Sequence, residues 1–172
     1  VTAITYRPAD RGTPDARTVE HNFIVDAWVR SYNDSWTNGI IQIEDWFPFM
    51  IPTVEKILDK PDVETVVACI PGVTDHIADV IGFIVADVLD VPPLVYYVFV
   101  KEHYRRCGRG RLWPGVGVGR GLFEAIGIDP ARPMNYVCST EMCRKLERKI
   151  PMSRWKQSFG RYPKHERRST RR

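Results

Sequence analysis

The chain has 172 residues, 44% hydrophobic and 27% charged, a composition that suits one globular domain able to bury a core without disulfides or metal and that excludes wholesale disorder. Its longest apolar run, Leu94 to Val100, is too short to cross a bilayer, and no signal-peptide stretch stands at the start, so a cytoplasmic protein is expected. Net charge is +4, concentrated in Arg- and Lys-rich segments at 101–120 and 161–172 that each carry +5.

In chain order, Ala3 to Pro8 alternates apolar and polar residues and predicts a short strand. From Val19 the apolar positions Val19, Phe23, Ala27 and Trp28 recur at helical spacing, which predicts a helix ending near Asn33-Asp34. Met50, Ile51, Val54, Ile57 and Leu58 repeat that spacing up to Pro61; Pro48 and Pro52 blur where this second helix begins, and Ser35 to Phe49 reads as irregular. Three strands follow, at Glu64–Ile70, Val80–Leu89 and Leu94–Val100, with connections short enough for antiparallel pairing. Leu122 to Ile126 is a short helix stopped by Gly127, and Met134 to Ser139 is a further strand. Thr140 can cap a last helix that carries Met142, Cys143, Leu146 and Ile150, and Ser153 to Tyr162 adds one more strand.

That order predicts an α+β fold, a mixed and mostly antiparallel sheet with helices on both faces. One domain covers 1–162, and 163–172 is a basic, solvated, disordered tail. The unit from Leu94 to Ser139 implies a parallel pair of strands with a crossover, so the segment after Val100 opens at the carboxyl end of a strand, where ligands bind in open sheets.

Cys69, Cys107, Cys138 and Cys143 form no Cys-x-x-Cys pair and the four histidines are scattered, so no metal site is expected. The segment after Val100 is more informative. It reads Lys101-Glu-His-Tyr104-Arg105-Arg106-Cys-Gly108-Arg-Gly110-Arg-Leu-Trp-Pro-Gly115-Val-Gly117-Val-Gly119-Arg120-Gly121. Glycines let successive backbone N–H groups face a ligand, a helix start adds partial positive charge, and arginines supply charge-assisted bonds, a combination suited to phosphate or pyrophosphate. Neither Gly-Lys-Ser/Thr nor Gly-x-Gly-x-x-Gly occurs, which sets aside the nucleotide triphosphatase loop and the dinucleotide fingerprint.

Arg105-x-x-Gly108-x-Gly110, following a strand and preceding a helix, resembles the signature Arg/Gln-x-x-Gly-x-Gly/Ala of the GNAT superfamily of acetyl-CoA-dependent N-acetyltransferases. Element order over roughly residues 3–150 is similar to that family as well. One departure is a second copy, Gly117-Val-Gly119-Arg120-Gly-Leu122-Phe123, nine residues after the first, which reads as an insertion and leaves open which glycines touch the cofactor. Geometry favours the second copy, because it abuts the helix while Pro114 interrupts the chain after the first.

The resemblance implies acetyl-CoA as co-substrate, held by Val98, Phe99, Val100, Arg105, Arg106, Gly108, Gly110, Gly117, Gly119 and Arg120. It implies direct attack of an unidentified amine on the thioester in a ternary complex. A backbone N–H near Phe99 and Val100 would steady the carbonyl oxygen as it gains charge. The family's usual acid, a tyrosine early in the last helix, has no counterpart between Thr140 and Ile150; Cys143, Ser139, Thr140 or water would stand in, although Cys143 also fits a core thiol. Asp87, Asp90, Glu102 and His103 are candidate bases, and Trp36 and Trp46 would flank the acceptor groove. Two other functional classes stay open: nucleic-acid binding through Arg167, Arg168, Arg171 and Arg172, and a GNAT-like fold serving as a binding or assembly protein, for instance in a phage particle. A sheet edge near the C-terminus could also pair two copies into a homodimer.

Overall fold

The computed structural model describes residues 4–32, 43–70, 79–105, 117–137 and 152–154. Its elements in chain order are β1 (Thr5–Pro8), β2 (Gly12–Thr13), β3 (Ala16–Arg17), α1 (Val19–Tyr32), α2 (Ile43–Leu58), β4 (Val63–Cys69), β5 (Val80–Asp87), β6 (Leu94–Val100), α3 (Glu102–Arg105), α4 (Val118–Ala125), β7 (Met134–Tyr136) and β8 (Met152–Arg154). Six of the strands form one sheet in the order β1-β4-β5-β6-β7-β8. Pairing is antiparallel from β1 to β6 and parallel from β6 to β8, giving the expected α+β class with a mixed, mostly antiparallel sheet.

Helices cover both faces, and the strand residues alternate between them. Val63, Val67, Phe83, Val85 and Tyr97 join the core under α1 and α2, whereas Val66, Ala68, Ile84 and Val95 join the core under α4. Burial on both sides is why β4, β5 and β6 read as nearly continuous apolar runs. The α1 side is aromatic: Trp28 stacks on Tyr97 at 5.1 Å, Phe83 stacks on Phe99 at 5.3 Å, and Phe23 meets both phenylalanines edge-on at 6.2 Å. Burying a side chain as large as the fully enclosed Trp28 contributes roughly 3 kcal/mol.

Local chemistry sets the helix ends. Thr18 caps α1, its Oγ1 accepting from the His21 N–H at 3.1 Å. At the end of α4, Gly127 adopts φ +83°, its N–H bonds Glu124 O at 3.1 Å and the Ile128 N–H bonds Phe123 O at 2.9 Å, the two bonds of a Schellman turn.

Several boundaries differ from the sequence expectation. Helix α2 begins at Ile43, inside the stretch read as irregular, and contains both Pro48 and Pro52. The two prolines lie one turn apart on the exposed face, while Trp46, Met50, Val54, Ile57 and Leu58 hold the opposite face in the core. Helix α4 begins at Val118 instead of Leu122, because buried Val118, Leu122 and Ile126 form one stripe that carries two glycines into the helix. The hairpin of β2 and β3 was not foreseen; its two-residue strands depend on distant partners, Arg17 pairing with Asp59 at 2.6 Å and Arg11 bonding the Leu58 carbonyl. The one-turn α3 was not foreseen either. Strand β7 ends at Tyr136, and the strand expected from Ser153 is described as β8 only to Arg154. The expected helix after Thr140 and the tail from 163 lie outside the described residues.

Candidate functional site

Among the described residues the sheet is open beside the second half of β6. Strand β7 pairs with β6 only at Leu94 and Val95, so among the described residues the rest of β6 has no neighbour on that side. A bulge sits where the two strands part: Ala86 faces Val95 but Val85 faces Tyr97, leaving Tyr96 as an extra residue. Tyr96 and Tyr97 consequently both join the α1-side core.

Beyond the bulge, strand alternation decides which groups face the opening. The Lys101 N–H bonds Ile81 O at 2.8 Å, so the peptide groups of Phe99 and Lys101 point to β5. Those of Val98 and Val100 then point to the open side. The Val100 carbonyl is already engaged there, by Arg105 Nε at 2.5 Å, and the Arg105 guanidinium lies 5.8 Å over the Phe99 ring.

The other wall is the start of α4. Val118 and Leu122 pack in the same core as Val98, Val100 and Tyr104, which brings the first turn of α4 alongside the open half of β6. Gly117 is the N-cap residue without a side-chain cap, and the first helical bond is Gly121 N–H to Gly117 O at 3.1 Å. The N–H groups of Val118, Gly119 and Arg120 therefore have no partner within the helix. Among the described residues a Cβ added at Gly117 or Gly119 would meet nothing within 4 Å, so their packing does not require glycine at either position. An approaching anion does benefit from the missing side chains.

The expected cofactor residues thus divide. Val98, Phe99, Val100, Arg105, Gly117 and Gly119 border the opening, with Phe99 turning its N–H to β5 and its ring to the aromatic core. Arg120 stands in the first turn of α4, and its Nε bonds Glu124 Oε1 at 2.7 Å, one turn toward the far end. Arg106, Gly108, Gly110, Ser139, Cys143, Thr140 and Trp36 lie outside the described residues. Trp46 is a buried core residue whose Nε1 donates to Val29 O at 2.9 Å. Asp87 accepts from the Leu89 N–H at 3.1 Å and from the Asp90 N–H at 3.3 Å, an Asx turn that shapes the β5–β6 connection. Asp87 pairs with Leu94 at the opposite end of β6 from Val100, roughly 20 Å away at ~3.3 Å per residue. Glu102 and His103 are exposed on α3, next to the opening. Among the described residues no group of three His, Cys, Asp or Glu side chains could hold a metal, and no helix is long and apolar enough to cross a membrane.

Two features carried no sequence signal. Residue-type patterning does not mark the bulge at Tyr96 inside an apolar run, and the fold-back of Arg105 onto Val100 depends on α3. A third lies at Gly121, which the sequence places just before the helix: it is inside α4 where that helix meets β1, and a Cβ there would overlap the Tyr6 hydroxyl and ring.

No protein-family model and no curated protein matches the sequence. Solved structures do match over most of the chain at low identity. The aminoglycoside N-acetyltransferase AAC(6')-Iy, solved with CoA and with a CoA-linked bisubstrate analogue, is 17% identical over 93% of this chain and 97% of its own, with a TM-score of 0.44. A transcriptional regulator of Bacillus halodurans is 16% identical, covering 92% of this chain and 85% of its own at a TM-score of 0.40. A Desulfovibrio desulfuricans protein assigned to the GNAT family is 16% identical over 72% of this chain; the match spans only 63% of that protein, at a TM-score of 0.37. All three scores lie below 0.5, so the likeness carries no functional weight, and the fold stands on this chain's own strand order, register and helix placement.

Proposed function

We propose that the chain is an acetyl-CoA-dependent N-acetyltransferase that uses the opening between β6 and α4. The observation that carries this reading is the parting of β6 from β7 opposite a helix start whose glycines packing does not require. A strand edge with outward N–H and C=O groups suits the amides of a pantetheine arm. The N–H groups that the helix leaves without a partner of its own at the first turn of α4 suit its pyrophosphate, with the helix dipole adding to the attraction. Arg105 lies against the open edge, its Nε on Val100 O and its guanidinium over the Phe99 ring.

In the reaction, the lone pair of a neutral amine attacks the thioester carbonyl carbon, the C–S bond breaks, the amine gives up a proton and the thiolate takes one. Negative charge develops on the carbonyl oxygen, and an N–H at the open edge, Val98 or Val100, is the donor suited to stabilise it. Glu102 and His103 stand at the same end of β6 as candidate bases. Ser139 and Cys143 remain the proposed proton donors to the thiolate.

Titration calorimetry with CoA, acetyl-CoA and ATP tests the reading. Binding of both CoA species in preference to ATP is expected; tight ATP binding with none for CoA would overturn it.

A further inference from the structure

We propose that Arg105 selects the thioester carrier, admitting one that bears a pyrophosphate and resisting one that does not. This rests on the acetyl-CoA reading above and goes beyond it, from binding the carrier to discriminating between carriers.

Arg105 stands apart from most of the described arginines. Arg7, Arg17, Arg30, Arg120 and Arg132 each pair with a carboxylate. Among the described residues Arg105 has no carboxylate partner; it folds back instead from α3 onto the end of β6, with Nε on Val100 O and the guanidinium over Phe99. Strand alternation makes Val100 O one of the outward carbonyls of the open edge. Arg105 therefore occupies an acceptor that an amide of a bound pantetheine arm would use.

The two ligand classes meet this arrangement differently. A neutral amide N–H offers Val100 O a weaker bond than the guanidinium already gives it, so a phosphate-free carrier competes at a disadvantage. A pyrophosphate changes the balance from the other side, because it offers the guanidinium paired anionic oxygens in place of one neutral carbonyl. Once Arg105 turns to phosphate, Val100 O is released to the arm. The same residue adds affinity for CoA and removes it for pantetheine.

Calorimetry of CoA and of pantetheine on wild type, Arg105→Ala and Arg105→Lys tests this directly. Arg105 is exposed, so both variants should keep the wild-type melting temperature. Arg105→Ala should weaken CoA about tenfold, the scale of one charged hydrogen bond. It should strengthen pantetheine about threefold, the scale of an exposed contact removed. Arg105→Lys should recover part of the CoA affinity without restoring the exclusion of pantetheine. Pantetheine affinity unchanged or weakened in Arg105→Ala, while wild type binds CoA, would overturn the selection role alone. Wild type binding neither CoA nor acetyl-CoA would overturn the underlying reading and the selection role with it.

Discussion

Helix α4 carries two kinds of glycine, and the contrast between them separates stability from function. Gly121 lies where the helix crosses β1, and any Cβ there runs into Tyr6. Gly117 and Gly119, about a turn from it, have no described residue where a side chain would go. Glycine inside a helix costs about 1 kcal/mol relative to alanine. At Gly121 close packing explains that cost; at Gly119 nothing within the described protein does. Gly119 stands beside N–H groups that have no partner within the helix, which is the basis of the binding role proposed for it.

Substitutions can break or sharpen this contrast. The largest effect is expected at Gly121: valine there must displace Tyr6 or lift α4 from β1, and should cost about 3 kcal/mol in denaturant unfolding. An unchanged midpoint would mean that the contact with Tyr6 is not what fixes this glycine. Next comes Gly119→Asp, which puts a carboxylate in the first turn of α4. The helix should tolerate or welcome it, because negative charge near a helix start is favourable by ~0.5 kcal/mol. CoA binding should nevertheless fall about a hundredfold, on the scale of a buried like-charge conflict at a binding site. Loss of both stability and binding would erase the distinction between the two kinds of glycine.

A smaller effect is expected at Tyr6 itself. Its hydroxyl is buried with no hydrogen-bond partner among the described residues. Burial first, and then the charge of Glu124, hold its phenol above the ordinary value of 10.0. Tyr6→Phe removes an unsatisfied polar atom and should stabilise the fold by ~1 kcal/mol. The sign of the pH effect follows from the raised pKa: the folded state keeps the proton longer than the unfolded one, so stability is full below pH 10 and declines as pH rises above it. That decline should be shallower in Tyr6→Phe when melting is followed from pH 9 to 11. The smallest effect belongs to Gly119→Ala, which should raise stability by about 0.8 kcal/mol, since the methyl group meets nothing and the helix gains a better former. A destabilised Gly119→Ala would show that packing needs glycine there after all.

How much of this was legible in the sequence varies with the physics of each part. Strands β4, β5 and β6 could be read because helices cover both faces and the core demands apolar residues almost without interruption. The onset of α2 could not, because Pro48 and Pro52 are strong local breakers whose cost is offset by the opposite face of the same helix. The β2–β3 hairpin and α3 are too short to have a pattern, and long-range partners determine them. At the candidate site, glycine and arginine enrichment after an apolar strand points to the carboxyl end of β6, the end that parts from β7 among the described residues. It names Gly119 and not Gly121 as a cofactor residue, but gives no sign that Gly121 is fixed by the Tyr6 ring, because the packing of α4 on β1 is not written in the local sequence. Nor could it foresee Arg120 turning toward Glu124, which is a matter of rotamer and partner.

The extra residue at Tyr96 gives β6 something like a reading frame. Counting from Leu94, that one insertion determines whether even-numbered or odd-numbered peptide groups face the opening farther along. Side chains at 97–100 can therefore drift with the needs of the two cores, because the groups at the open edge belong to the backbone and are the same for every residue except proline. Length is another matter: one residue lost or gained between Val95 and Val98 would swap every donor and acceptor on the open edge with its neighbour in the sheet. Such a strand is permissive toward substitution and strict toward insertion and deletion, so what selection has to preserve in it is a count of residues more than their identities.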